Sequence, residues 1–324
     1  MSQSVLYDVP GPRQRRITLI GSIVATIAVL IGAYFFVYRP LDENGQFSME
    51  LWGPLIDPSD ENFSLVWERI GIGFGNTLMA AVLAIASSLV VGTLLAVLRI
   101  QLKSLTARRF TGMAAPVTYL LRGLSLFLAA LTRFCVEVFR GLPVVITIFF
   151  VARGFPEFGI SLSTLTYLVI GLTIYNSVVI AEILRSGMEG LPGGQREAAA
   201  AIGLSPLQTT GLILLPQAFR IMLPALISQL VVVLKDTSLG FIISYEETLN
   251  IGKQIIGVLN NPIPVYIVIG VLFIVVNYSL SKLAQYVQGR LARGRKTTDT
   301  PTAAPPPAIA AALGAQSTAQ SGAS

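Results

Sequence analysis

Histidine is absent from the 324 residues, and cysteine occurs once, as Cys135. Without histidine the chain lacks the side chain that most often moves protons near neutral pH and ligates metals, and a lone thiol cannot close an internal disulfide. Charged residues make up 12% of the sequence against 53% hydrophobic ones. That is too little charge to cover a soluble surface at this length, so the class is a polytopic membrane protein. No glycine-rich loop ending in Gly-Lys-Ser or Gly-Lys-Thr is present, so the chain has no cradle for nucleotide phosphates. A HExxH helix, a nucleophile-elbow serine and a paired acidic cluster suited to metal are missing as well, which argues against an embedded enzyme and against a metal or other cofactor. The net charge is +6, but Lys and Arg fall between apolar runs rather than on one polar module, a pattern of topology signals and not of nucleic-acid binding.

What is present is a series of apolar runs, each near the roughly 20 residues that cross a bilayer. Residues 17–37, 72–98, 134–153, 164–187, 219–243 and 263–286 read as six spans. Arg13, Arg15 and Arg16 precede the first, as in a signal peptide, but that run exceeds a typical signal core and no small-residue cleavage site follows, so a retained anchor is expected. Placing the N terminus in the cytoplasm gathers the cations on that side: these three, then Arg99, Lys103, Arg108, Arg109 and Arg122, and finally Arg290, Arg293, Arg295 and Lys296. The outer loop at 39–70 instead carries Asp42, Glu43, Glu50, Asp57, Asp60, Glu61 and Glu68 against Arg39 and Arg69. The positive-inside rule favours this orientation, with both termini cytoplasmic. Residues 114–131 are apolar enough to suggest a seventh span. Arg122 and Arg133, with Arg108 and Arg109 before them, fit an amphipathic helix at the cytoplasmic interface better. The resulting organisation is a cytoplasmic segment at 1–16, a transmembrane helix at 17–38, the acidic loop at 39–70, a transmembrane domain at 71–288, and a cytoplasmic tail at 289–324 whose Pro-, Ala- and Ser-rich composition predicts disorder.

Between the fourth and fifth spans lies EAAAAIGLSPLQTTGLILLP, residues 197–216. Ala-rich residues 195–202 favour helix, and Gly203 can adopt the left-handed conformation that ends one. Ser205 is placed to cap the next helix, with Pro206 at its first position and Gln208 where a capping-box partner reaches back. Pro216 is expected to close this short helix. The result is a helix, a bend and a second helix on the cytoplasmic side.

Polar residues inside the spans form a second group of candidates. Glu137 and Arg140 are three apart and are expected to pair, either as a structural pair near the interface or as part of a gate, and Pro143 should kink the helix beyond them. Glu182 and Arg185 repeat the spacing at the end of the fourth span and read as a structural pair above the bend. Lys235, Asp236, Thr237 and Ser238 interrupt the fifth span. Lys235 can pair with Asp236 or attract a substrate carboxylate. Asn76, Thr77, Asn176 and Asn277 read as interhelical hydrogen-bonding residues.

The 197–216 run resembles the EAA loop of ABC-transporter permeases. EVFRGLP at 137–143, AEILRSGMEGLPGGQREAA at 181–199, LPQAFRIMLP at 215–224 and LKDTSL at 234–239 each resemble segments of the polar amino acid permeases of ABC importers, in the same order. The resemblance covers about 70–288. It implies an all-α fold with a five-helix core, to which the span at 17–37 would be an N-terminal addition. The segment at 99–136 is longer than the family's connection. It also implies two permease subunits, identical or not, a cytoplasmic ATPase dimer, an extracytoplasmic solute-binding protein, and a polar amino acid substrate, glutamate first with glutamine, arginine and histidine open. The layout is most similar to actinobacterial glutamate permeases. Coupling to the ATPase would fall to Glu197, Ala198, Ala199, Gly203, Ser205, Pro206 and Pro216 in the 195–216 loop. The pathway candidates are Arg140, Pro143, Lys235, Thr237 and Ser238. A secondary transporter driven by an ion gradient is the rival expectation. It would use Glu137 or Glu182 as ion sites, but no internal repeat supports it.

Overall fold

The computed structural model describes residues 11–107 and 115–293. Among these every regular element is helical: α1 Pro12–Ala33, α2 Arg39–Glu43, α3 Met49–Ile56, α4 Phe63–Ala107, α5 Ala115–Gly141, α6 Val144–Glu157, α7 Thr164–Glu189, α8 Gly194–Ala201, α9 Pro206–Gln208, α10 Leu215–Asp236, α11 Thr248–Leu259 and α12 Pro262–Arg293. Six stretches are long and apolar enough to cross a membrane: Pro12–Glu43, Phe63–Ala107, Val117–Gly141, Thr164–Glu189, Pro206–Ile243 and Pro262–Arg290. Arg108, Arg109, Arg295, Lys296 and the tail from 297 lie outside the described residues. Residues 289–293, assigned above to a disordered tail, are helical and belong to α12. Contacts divide the chain into residues 1–280 and 281–324. All the packing described below lies within the first of these.

The pair α4 and α7 packs most extensively, and α7 also packs on α6 and α10. The reason is legible in α4: Gly73, Thr77, Ala80, Ala84, Ser88, Gly92 and Ala96 recur every three to four residues on its buried face. Small side chains let backbones approach, which is what holds helices together when lipid removes the hydrophobic drive. At Gly92 the approach is so close that a Cβ would stand 2.8 Å from the Ser177 carbonyl oxygen of α7. Gly171 of α7 meets the Ile148 backbone of α6 in the same way, at 2.7 Å. Three apolar clusters complete the core. One joins Ala96, Ile180, Leu184, Met188, Leu214 and Ala218 near the 197–216 loop, one joins Ala80, Ile148, Leu168 and Val233, and one joins Leu55, Ile70, Ile251 and Val265.

Interhelical hydrogen bonds supplement this packing. Thr77 and Thr248 share a 2.8 Å hydroxyl contact, Asn76 donates to the Glu246 carbonyl, and Gln229 donates to Asn176. Asn277 departs from expectation, since its amide donates to Phe273 of its own helix.

The third span differs from the one read in the sequence. Residues 134–153 are not one helix: α5 ends at Gly141 and α6 begins at Val144, with Pro143 in extended conformation between them. Proline lacks an N–H and disfavours helix in the residue before it, so the expected kink becomes a break. By length and composition the apolar stretch that could span is Val117–Gly141, with residues 115–131 continuous with the rest of α5. Arg133 near its middle lines a cavity with Lys103 and Thr106 at the end of α4, while Cys135, Phe139 and Ile148 lie beside Val91, Leu95 and Ala84. The 14 residues of α6 reach roughly 21 Å, short of the 30 Å hydrocarbon core. Among the described residues the count of such stretches stays at six, four of them before the 197–216 loop.

The acidic segment at 39–70 is more than a loop. The α3 helix buries Leu55 against Ile70, Trp67 donates to the Leu55 carbonyl, and Asn261 donates to the Leu51 carbonyl. By contrast, no residue of α1 is buried.

Candidate coupling site

The loop after α7 is built by local chemistry. Helix α8 ends in a Schellman turn. The Leu204 N–H donates to the Ala199 carbonyl and the Gly203 N–H to the Ala200 carbonyl, both at 3.0 Å, while Gly203 takes φ +81°. Only glycine adopts this conformation without strain from a Cβ. Ser205 then caps α9: its hydroxyl accepts from the Gln208 N–H, and the Gln208 side chain accepts from the Ser205 N–H. Pro206 sits at the first helical position, where no N–H is required.

Beyond Gln208 the helix does not stop. Residues Thr209–Leu214 form a π turn that runs directly into α10, so Pro216 lies inside a continuous helical stretch and does not close a short one. A proline ring collides with the carbonyl four residues back in an α-helix. The wider π turn, in which the Leu215 N–H reaches Thr210, makes room for it. The mechanical consequence is that the bend at Gly203 leads without a second break into a transmembrane helix.

The bend is anchored from below. Gln101 of α4 donates to the Pro206 carbonyl and to the Thr210 hydroxyl. Gln195 and Gln217 exchange reciprocal amide bonds at 2.9 and 2.8 Å, tying α8 to α10. Arg196 donates to the Met188 carbonyl, and Ala199 is buried. The outer side is the reverse: Glu197, Ala198, Gly203 and Ser205 are exposed, and three apolar residues stand out, Ile202 at 75%, Leu207 at 60% and Leu212 at 69% exposure. Sequence reasoning missed these three and all three glutamines. An exposed apolar residue within a polar loop was the available signal for the first group. Nothing in the sequence pairs Gln101 with Pro206, 105 positions away.

Below the bend, the ends of α4 and α7 are joined by ions. Arg185 bridges Glu182 and Glu189 on its own helix, as expected for the Glu182–Arg185 pair. Arg99 and Lys103 of α4 add bridges to Glu182 and Glu189 across the helix interface. Arg99 and Glu182 are only 15% and 25% exposed, which makes their bridge sensitive to loss of either partner.

The remaining candidates are dispersed. Glu137 pairs with Arg133, four residues earlier, rather than with Arg140; both spacings share a helix face, and α5 places Arg133 nearer. Arg140 is exposed at the end of α5 and makes no ion pair among the described residues. Lys235 does not pair with Asp236. Its side chain is exposed, while Oδ2 of Asp236 is buried without a hydrogen-bond partner among the described residues. Thr237 is fully buried and donates to the Leu234 carbonyl; Ser238 donates to the Lys235 carbonyl. No group of three or more potential metal ligands occurs among the described residues.

Comparison with known proteins agrees with this architecture. Residues 110–293 match the family described as binding-protein-dependent transport system inner membrane component. The glutamate transport system permease protein GluD of Corynebacterium glutamicum is 39% identical over 259 residues, 79% of this chain and 85% of its own length. The probable glutamine ABC transporter permease GlnP of Bacillus subtilis is 37% identical over 50% of this chain and 76% of its own length. Among solved structures, an amino acid ABC transporter crystallised with histidines matches with a TM-score of 0.55 at 23% identity, covering 72% of this chain and 99% of that one. The methionine transporter MetNI matches with the same TM-score at 20% identity. These structures share the fold, and this chain extends beyond it. The match over more than half of the sequence, on spans that flank a preformed bend of this kind, makes the chain a member of the binding-protein-dependent transport system inner membrane component family, a multi-pass permease subunit of an ATP-binding-cassette importer in the bacterial plasma membrane.

Proposed function

We propose that this permease imports a polar amino acid, with glutamate the first candidate and glutamine the second, and that a separate ATPase dimer drives it through the 195–216 loop. A second permease subunit would complete the membrane pore, and an extracytoplasmic solute-binding protein would deliver the substrate. The orientation follows the positive-inside rule, with the loop and both termini cytoplasmic. The transmembrane domain at 71–288 does the transport, and the helix at 17–38 is an addition to it.

The observation that carries the coupling role is the combination of a rigid bend with an apolar outer face. Ile202, Leu207 and Leu212 expose large apolar side chains, which suits a surface that another protein covers. The bend below them is held by the Schellman turn, the capping box and Gln101. ATP-driven closure of the ATPase pair would displace α8 and α9, and the unbroken path into α10 would carry that displacement into the membrane. A partner can shift a permease only by its differential affinity for the two states, so a stiff connection matters.

Substrate identity rests on the relatives named for glutamate and glutamine. An anionic amino acid needs cations along its route, and Arg140 and Lys235 are the proposed ones, since neither is neutralised by an ion pair among the described residues. Ser238 and the helix break at Pro143 are proposed to lie on the same route. The test is uptake of labelled glutamate into proteoliposomes holding the permease, its ATPase and its binding protein. Uptake should require ATP and survive an uncoupler. Uptake that persists without ATP and collapses with the uncoupler would replace this reading by a gradient-driven transporter.

A further inference from the structure

Two cavities lie end to end along the seam between α4, α5 and α7. The larger, of about 580 Å³, is walled by Val91, Leu95, Cys135, Phe139, Val169 and Ile174 and is almost wholly apolar. The smaller, of about 240 Å³, is lined by Arg99, Lys103, Arg133 and Arg185 with one carboxylate, Glu189. Thr132 of α5 stands on the wall of both, so the two adjoin there. We propose that the two adjoining cavities together bind one anionic phospholipid, with its acyl chain along the apolar cavity and its phosphate among the four cations.

The chemistry at each end favours that occupant. The apolar part lies beside helices of span length, where hydrocarbon is the surrounding medium. Cys135 on its wall is exposed, so the cavity is open on at least one side. The cationic part lies at the end of α4 and α7, level with the ion network. Basic pockets between helices at a membrane surface are suited to anionic lipid headgroups. Every cation there already has a partner: Arg99 with Glu182, Lys103 with Glu189, Arg133 with Glu137, and Arg185 with Glu182 and Glu189. These pairs differ in how tightly they are held. Lys103 and Arg133 are 71% and 75% exposed, and exposed pairs contribute little in water. Both can turn from their carboxylates to a phosphodiester, while Arg99 and Arg185 stay fixed and supply the field. A zwitterionic lipid would bring its own cation into a pocket already lined by four.

The site touches the coupling loop. Lys103 and Glu189 also line a third cavity, of about 360 Å³, together with Arg196, Leu204 and Pro206. A phosphate that draws Lys103 away from Glu189 therefore changes the floor beneath the Gly203 bend. The inference is independent of which amino acid is carried and of which way the chain faces.

The test uses the full-length chain extracted in mild detergent from membranes containing phosphatidylglycerol and phosphatidylethanolamine, with retained lipid counted by native mass spectrometry. Wild type should retain phosphatidylglycerol preferentially, and Lys103→Gln with Arg133→Gln should lower that preference roughly tenfold. Arg13→Gln with Arg16→Gln, on the exposed α1, should leave it unchanged. Val91→Trp, which narrows the apolar part and spares the cations, should also lower retention. Equal retention of both lipids by wild type, or unchanged preference in the Lys103 and Arg133 variant, would overturn the proposal. So would displacement of the lipid by millimolar glycerol phosphate, which would reveal a phosphate site only. Cross-linking of Cys135 between two copies in native membranes would place a second permease in the seam and overturn it as well.

Discussion

Replacing Gly203 isolates the contribution of backbone conformation to coupling. The residue takes φ +81°, and among the described residues no atom beyond its chain neighbours lies within 4 Å of the position a Cβ would occupy. Gly203→Val therefore causes no collision, and its whole effect is the strain of holding a β-branched residue in the left-handed region, about 1–2 kcal/mol. That strain is relieved by opening the turn, which breaks the bonds from Leu204 to Ala199 and from Gly203 to Ala200. The fraction of permeases holding the bend should then fall by a factor of about 5–30. Gly203→Asn is the matched control, because asparagine visits the left-handed region readily and adds a side chain of similar bulk. The assay is ATP hydrolysis stimulated by the permease, with ATP-driven uptake in parallel, at equal incorporation of each variant. The valine variant should lose most of both and the asparagine variant little. Valine at wild-type level, or asparagine as impaired as valine, would show that the bend does not set coupling.

Three further outcomes are expected. Gln101→Leu removes the donor to Pro206 and Thr210 and should lower ATPase stimulation while the thermal midpoint in detergent moves by the equivalent of about 1 kcal/mol; an unchanged coupling ratio would exclude an anchoring role. Gly92→Val forces a Cβ to within 2.8 Å of the Ser177 carbonyl and should destabilise the α4–α7 pair by about 1–3 kcal/mol, seen as early thermal unfolding. Glu247 is fully buried at the start of α11, and burial pushes its carboxyl from 4.5 up to about 7 against the two backbone N–H groups that favour its charge. The folded chain then holds this proton more tightly than the unfolded one, so stability should fall as pH rises from about 4.5 to about 7 and level off above. Glu247→Gln should flatten that slope in detergent melts, and a slope that survives the change would assign it to another group.

What the sequence made legible, and what it hid, follows from the range of the interactions. Gly203, Ser205, Pro206 and Gln208 act on neighbours within five residues, and their spacing alone dictates the turn and the cap that form. Pro216 misled because its local rule, that proline ends a helix, is overridden by a π turn that spacing does not announce. Glu137 had two cationic neighbours at helical spacing, Arg133 and Arg140, and the rule that both share its face cannot choose between them. Pro143 reads as a kink and is a full break, which splits the expected third span into α5 and α6. The bridges from Arg99 and Lys103 to α7 lie 83 and 86 positions apart in sequence, beyond any local pattern. The same holds for α3, whose short apolar run reads as loop until Ile70 and Asn261 are seen to cover it.

The most direct test of the central claim is whether the outer face of the bend holds the ATPase. The full-length permease, tagged and extracted in mild detergent from its native membrane, should bring an ABC ATPase with it. The variant carrying Ile202→Glu and Leu207→Glu, two exposed changes that leave the Schellman turn and the capping box in place, should not. An ATPase recovered in full with that variant would mean that docking occurs elsewhere and that the bend is not the coupling element.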